Sequence, residues 1–246
     1  MTTGAGPGAL EPLPVGVIGG VGPLATAYFL QLVVHLTKAE RDQDHLDMVV
    51  LNHASIPDRT AYILDSSAPD PGPVLAADAQ RLERFGVSFL VMPCNTAHYF
   101  TQQVLDAVAV PLLSIIDTAV DASIERASGL ADVGLLATAG TIVSEVYLEA
   151  FRKRGVQLIV PDDDDQTIVN RVIYEQVKAG EPVDIAALRG VAEHLVVRGA
   201  RVVLLGCTEL SVVAQDFDLL AEPLYIDAMD QLARATIRAA GGTVRA

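Results

Sequence analysis

Two stretches of this 246-residue chain follow one pattern: a strongly apolar run, a cysteine, a threonine close behind, then a helical segment. In the first, Val87-Ser88-Phe89-Leu90-Val91 leads into Met92-Pro93-Cys94-Asn95-Thr96-Ala97-His98. In the second, Val202-Val203-Leu204-Leu205 leads into Gly206-Cys207-Thr208-Glu209-Leu210. Short apolar runs of this kind read as strands buried on both faces, the signature of a parallel sheet. Each thiol is therefore expected at the carboxyl end of a strand, where open α/β sheets hold their ligands. The chain has only these two cysteines, so the pattern points to one pocket with a thiol on each wall.

Strand and helix signals alternate along the rest of the chain. Val15-Gly16-Val17-Ile18-Gly19, Asp47-Met48-Val49-Val50-Leu51, and residues 112–116, 133–137 and 156–160 read as strands. Helical patterns cover residues 23–40, 74–85, 96–107, 141–154, 166–179 and 184–197. Such alternation predicts parallel sheets flanked by helices. The motif Gly16-Val17-Ile18-Gly19 is echoed by Gly134-Leu135-Leu136-Ala137, with Thr26 and Ser144 each ten residues beyond the first glycine. This repeat runs at nearly the same offset as the cysteine pair. The expected fold is α/β: two similar domains related by pseudo-two-fold symmetry, each a mostly parallel sheet flanked by helices. The cysteines then face each other across the cleft between them.

The chain carries 31 acidic against 17 basic residues, a net charge of -14. That surface repels nucleic acid and anionic membranes, which are excluded as main partners. An anionic substrate requires a local basic cluster. No run of about 18 uncharged apolar residues occurs, so no membrane-spanning helix is expected. Residues 1–14, rich in Gly and Pro, read as a disordered tail rather than a signal peptide. A cytoplasmic protein is expected, in which thiols stay reduced. Metal is not expected: neither cysteine has a CxxC partner and the five histidines are scattered. The run Asp162-Asp163-Asp164-Asp165 fits a solvated helix N-terminus, where acids are favoured.

A thiolate is a good base toward a carbon acid. Two thiols flanking one carbon can invert it, one removing a proton and the other donating from the opposite face. Helix N-termini are expected to lower both thiol pKa values. Thr96 and Thr208 are candidates to hydrogen-bond a thiolate or substrate, or simply to cap helices. Asn52 and Asn95 can donate to a carboxylate or form local Asx turns. Arg59, in the loop after the second strand, suits bidentate carboxylate binding; a surface pair with Asp58 is the alternative. Lys178 ends a helix before Gly180, where a cation also complements the dipole. Gly19-Gly20-Val21-Gly22 fits neither nucleotide-loop spacing. It reads as a tight turn whose backbone, at Gly20, approaches a small ligand. His98, one turn into a helix, reads as structural.

These residues resemble the cofactor-independent aspartate racemases of the aspartate/glutamate racemase superfamily. The resemblance runs from Val15 onward. It is carried by Ile18-Gly19-Gly20-Val21-Gly22-Pro23-Leu24-Ala25-Thr26, Ile56-Pro57-Asp58-Arg59-Thr60, Pro93-Cys94-Asn95-Thr96-Ala97-His98, Leu136-Ala137-Thr138-Ala139-Gly140-Thr141, Ile173-Tyr174-Glu175-Gln176-Val177-Lys178-Ala179-Gly180 and Gly206-Cys207-Thr208-Glu209-Leu210. The Thr208-Glu209 pair and His98 look like the aspartate branch, since glutamate racemases typically have Thr-His after the second cysteine. Val21 stands where the family pattern usually has Met. The resemblance implies that Cys94 and Cys207 are the acid/base pair and that Arg59 and Lys178 hold substrate carboxylates. Gly20, Asn52, Asn95, Thr96, Thr141 and Thr208 complete the expected substrate site. It also implies a first domain of residues 15–116 plus 211–246, a second of residues 117–210, a homodimer, and no cofactor. The expected activity is interconversion of L- and D-aspartate. Glutamate or a modified acidic amino acid as substrate, and a non-catalytic ligand-sensing homologue, are the alternatives.

Overall fold

In the computed structural model, residues 13–127 and 132–245 are described; the expected N-terminal tail falls almost wholly outside them. The first half runs β1 (Val15–Gly19), α1 (Pro23–Leu36), β2 (Met48–Asn52), α2 (Arg59–Leu64), α3 (Gly72–Phe85), β3 (Leu90–Val91), α4 (Thr101–Leu105), β4 (Leu112–Leu113) and α5 (Ile115–Arg126). The second runs β5 (Val133–Leu136), α6 (Ala139–Val143), α7 (Val146–Lys153), β6 (Leu158–Ile159), α8 (Asp163–Arg171), α9 (Ile185–Val197), β7 (Val202–Leu205), α10 (Thr208–Asp216), β8 (Tyr225–Asp227) and α11 (Ala228–Ala239).

Both sheets are parallel and have the same order, β2-β1-β3-β4 and β6-β5-β7-β8. The repeat read from the sequence is therefore a repeat of topology. Register sharpens it. Gly16 pairs with Leu90, and Gly134 pairs with Val203. Cys94 stands four residues beyond Leu90, and Cys207 four beyond Val203. Both thiols thus leave corresponding strands at the same height. The strand order reverses beside β1 and β5, and each reversal opens a crevice at the carboxyl edge.

Side-chain alternation builds the layers. Val15, Val17 and Val91 of the first sheet point inward, as do Val133, Leu135, Val202 and Leu204 of the second. They meet a shared helical layer of α1, α5, α7 and α11, whose Phe29, Ile115, Phe151 and Leu232 are fully buried. Truncating Phe29 or Phe151 to alanine in such a core costs about 3–5 kcal/mol. The opposite sheet faces carry Ile18, Leu90 and Met92 against α3 and α4, and Leu136, Val203 and Leu205 against α8, α9 and α10. The two units therefore share a central core instead of each enclosing its own.

Several elements depart from the sequence expectation. β8 pairs with β7 in the second sheet, so residues 211–246 do not all belong with the first unit. The helix expected over 141–154 breaks between α6 and α7, where Glu145 adopts φ +56°. The helix expected over 166–179 continues past α8 as a π-helical segment, Val172–Val177. The one expected over 96–107 starts as 3₁₀ turns, Thr96–Phe100. Asp58 caps α2 by accepting from the Ala61 amide at 2.8 Å, so the expected polar loop ends one residue before Arg59.

α2 and α6 approach closely across the cleft, and Gly140 makes this feasible: a Cβ there would sit 2.6 Å from Thr60 Oγ1. Gly140→Ala should overpack the contact and cost about 1–3 kcal/mol in urea unfolding. Adding Thr60→Ala should return part of that loss. Strict additivity of the two changes would show that this contact does not set the approach.

Candidate active site

Cys94 and Cys207 are free thiols, 6% and 5% exposed. They line one narrow cavity of about 20 Å³ with Val21, Arg59, Asn95, Lys178 and Glu209. Cys207 is the N-cap residue of α10. Cys94 precedes the 3₁₀ turn, its amide bonded to the Met92 carbonyl at 2.8 Å. The expected lowering of both thiols is overturned by desolvation, which disfavours the charged form. Burial pushes Cys94 up, opposed by the Arg59 guanidinium. Burial and then the Glu209 carboxylate push Cys207 well up.

The polar walls show what the cavity is built to hold. Arg59 Nη1 is tied to the carbonyls of Pro57 at 3.0 Å and Ile56 at 3.3 Å, while its Nε is buried without a partner. Asp58 is engaged as a helix cap and leaves the guanidinium to the cavity. Tyr147 donates its hydroxyl to Asn95 Oδ1 at 2.5 Å, and the Asn95 Nδ2 is likewise buried and unpartnered. Buried donors rarely stay unsatisfied, and here two of them belong to residues that line one cavity. Lys178 follows the π-helical segment with its Nζ 4.4 Å from the Tyr174 ring centroid and 3.7 Å from Glu209 Oε1. Burial pulls its pKa down, but Glu209 and Cys207 outweigh that and it ends up raised. The chain's acidic surface thus gives way to two cations at one point.

Other expected residues take lesser places. Thr96 and Thr208 line the cavity. Thr96 Oγ1 bonds Thr141 at 2.8 Å and Thr138 at 3.2 Å, knitting the two halves together. Thr141 lies behind that pair and Thr138 takes its place in the lining. Gly20 has φ +83° and borders an adjoining cavity, but its amide donates to Thr26 Oγ1 at 2.9 Å and is not free for a ligand. Asn52 is exposed at the end of β2 and lines neither cavity. Glu209, Tyr174 and Thr138 were not among the expected site residues. Thr138 was within reach, because the offset that maps Gly16 onto Gly134 maps Gly20 onto it. Tyr174 lies four residues before Lys178, a spacing that stacks side chains on a helix.

Among the described residues, no group of three or more His, Cys, Asp or Glu is placed to hold a metal. In the aspartate run, Asp162 caps α8, while Asp165 is buried, not solvated, and pairs with His194 Nδ1 at 3.0 Å. An adjoining, roomier cavity of about 270 Å³ shares Arg59, Lys178, Thr208 and Glu209 with the first. Its remaining wall is largely apolar, from Pro23, Leu24, Ala25, Val177 and Val212.

The Asp/Glu/hydantoin racemase family model matches residues 18–236, which span every strand but the start of β1 and include every residue lining the cavity. The chain belongs to this family. The Picrophilus torridus aspartate racemase superposes with a TM-score of 0.78 at 29% identity, over 94% of this chain and 96% of that one. The broad specificity amino-acid racemase RacX of Bacillus subtilis is 26% identical over 229 residues, 91% of this chain and 96% of its own. The Francisella tularensis glutamate racemase, solved with D-glutamate, shares the fold at a TM-score of 0.64 and 19% identity, over 94% of this chain and 81% of that one. As a family member the chain is a racemase-type isomerase with two α/β units. No helix among its described residues is long and apolar enough to cross a membrane.

His98 holds the Cys94 loop. Its Nδ1 bonds the Cys94 carbonyl at 2.8 Å, and its Nε2 accepts from the Ile115 amide at 3.3 Å. This geometry needs the neutral ring, and burial pulls its pKa down to about 4. A free histidine titrates near 6.5, so the folded state resists protonation. The stabilisation is full above about pH 6.5 and is lost as pH falls toward 4. Urea midpoints should therefore fall more steeply from pH 7 to pH 5 in the wild type than in His98→Gln. Parallel declines would show that His98 is not the neutral tie.

Proposed function

We propose that the protein interconverts L- and D-aspartate by proton transfer between two thiols, without a cofactor. The observation that carries this is a pair of free thiols on corresponding strands, lining one small cavity with two unpartnered buried donors and a lysine. One sulfur, as thiolate, takes the α-proton while the other, as thiol, delivers its own to the opposite face. The difficulty is the charge that develops on the substrate carboxylate as the α-proton leaves. Arg59 Nε and Asn95 Nδ2 are fixed in advance by the bonds from Arg59 to the 56–57 carbonyls and from Tyr147 to Asn95. Donors already in place need no reorganisation in the transition state. Lys178 is positioned for the second carboxylate, which would replace Glu209 as its partner. The cavity's small size favours a short acidic side chain.

A second reading has its own support. The adjoining cavity, with apolar walls from Pro23, Leu24, Val177 and Val212, is open to longer side chains. On that reading the enzyme accepts a range of amino acids, of which aspartate is one. The same proposal includes a cytoplasmic homodimer, a setting in which free thiols stay reduced.

Chiral chromatography after incubation with single amino acids, without added cofactor, tests the substrate. Aspartate should racemise fastest; turnover of long neutral amino acids at an equal rate would favour the broader reading. Cys94→Ala and Cys207→Ala should each remain folded and lose about 10²-fold or more in kcat/KM. Retention of most activity by either variant would remove the two-thiol mechanism. Arg59→Lys keeps the charge but loses the fork. It should cost about 10- to 100-fold on aspartate, matching the ~1.5–3 kcal/mol of a hydrogen bond to a charged group. Alanine carries the same α-carboxylate and should lose about as much; a loss confined to aspartate would move Arg59 to the side-chain carboxylate.

A further inference from the structure

We propose that Glu209 breaks the symmetry of the thiol pair, keeping the resting proton on Cys207 and leaving Cys94 the thiol that ionises first in the free enzyme. The proposal deepens the two-thiol reading and rests on it.

The two cysteines leave equivalent strands at equivalent heights, yet their surroundings differ in sign. Cys207 Sγ donates to Glu209 Oε2 at 3.0 Å. The Thr208 hydroxyl reaches the same oxygen at 3.4 Å. Lys178 Nζ stands 3.7 Å from Oε1 and holds the carboxylate in place from the other side. A thiol with a carboxylate at hydrogen-bond distance keeps its proton, because the acceptor bonds only the protonated form and repels the thiolate. Among the described residues, no carboxylate stands at that distance from Cys94. At the corresponding position, two residues after the thiol, it has Thr96, whose hydroxyl is bonded to Thr138 and Thr141. The strongest charge acting on Cys94 is the Arg59 guanidinium, which favours the thiolate.

The titratable groups lining the cavity with Glu209 come from several elements. They are Cys207 beside it, Tyr174 and Lys178 from the π-helical segment and its end, Cys94 from the loop after β3, and Asp58 and Arg59 at the start of α2. Among the described residues, Lys178 is the one cation paired to Glu209. It also acts on both sulfurs, so it does not cancel the difference between them.

The consequence is a defined starting state. The substrate enantiomer whose α-hydrogen faces Cys94 meets the enzyme ready to react. Its C–H bond breaks and an S–H bond forms on Cys94. The Cys207 S–H bond breaks and a new C–H bond forms on the other face. Product leaves with the shared proton on Cys94, and exchange through water returns it to Cys207. Since the two enantiomers have equal free energy, kcat/KM is equal in both directions; the asymmetry lies in which enzyme form each enantiomer needs.

Alkylation by iodoacetamide at pH 7.5, followed for each cysteine by peptide mass spectrometry, tests this without any substrate. Reactivity follows the thiolate fraction. In the wild type Cys94 should be modified at least ~10-fold faster than Cys207, a tenfold difference being about one pKa unit. The isosteric Glu209→Gln should speed Cys207 modification by a similar factor and change Cys94 less. Equal rates in the wild type, or a Cys207 rate unmoved by Glu209→Gln, would overturn the proposal. If that variant does not fold, the wild-type ratio decides alone. For aspartate turnover, Glu209→Gln should lower the alkaline limb of the kcat/KM profile, because the second thiol then ionises more easily; an unmoved or raised limb counts against the assignment. Absence of any aspartate turnover would sink the substrate reading while leaving the alkylation result to judge Glu209.

Discussion

Desolvation of two sulfurs at the carboxyl ends of β3 and β7 is the constraint around which the rest of the site is arranged. Each sheet runs in the order 2-1-3-4, so each has a crevice where its strand order reverses. One crevice alone would offer a single reactive edge. Two of them, joined by the shared layer of α1, α5, α7 and α11, bring one thiol from each unit to a single cavity. That is the geometry inversion at a carbon demands. The same burial makes both thiols poor acids, since a low-dielectric wall disfavours the thiolate. The polar groups of the cavity answer that difficulty.

Those groups come from segments whose backbone is irregular. Arg59 begins a helix of six residues capped by Asp58. Lys178 follows a π-helical segment, a distortion often found at functional sites. Asn95 stands in the loop between β3 and the 3₁₀ turns, its amide oriented by Tyr147 from the opposite half. Arg59 and Asn95 are each held by groups outside the cavity lining. Arg59 is pinned by main-chain carbonyls and Asn95 by the Tyr147 hydroxyl. Preorganisation here is thus a property of contacts behind the wall, and Thr96 with Thr138 and Thr141 ties the halves in register across it.

The strands and their cysteines were legible because burial on both faces writes a continuous apolar run into the sequence, and because the fold uses that device twice. Parallel pairing followed from the alternation of strand and helix signals, and the family from the motifs around the glycine turn and the two cysteines. Less legible was anything set by contacts distant in sequence. Asn52 stands at the carboxyl end of a strand, near where the cysteines emerge from theirs, yet it is exposed. Gly20 has the positive φ its turn suggests, but Thr26 occupies its amide. The membership of β8 in the second sheet depends on pairing with β7, which no local pattern of three residues reveals. Glu209 stood out in the sequence as a mark of lineage. Its hydrogen bond to Cys207 emerges only from the way α10 begins at that cysteine. The helix breaks at Glu145 and in the π-helical segment likewise lie within patterns that look uniformly helical.

The central claim is that separate thiols act on opposite faces of the α-carbon. It is tested most directly by converting L-aspartate in deuterated water and analysing both enantiomers by mass spectrometry at low conversion. With two bases, the group that takes the substrate proton is not the one that delivers. D-aspartate formed in the first turnovers should carry deuterium at the α-carbon, while the remaining L-aspartate stays protiated. Substantial protium in the initial D-aspartate would mean that one group moves the same proton from face to face, and would contradict the pairing of Cys94 with Cys207.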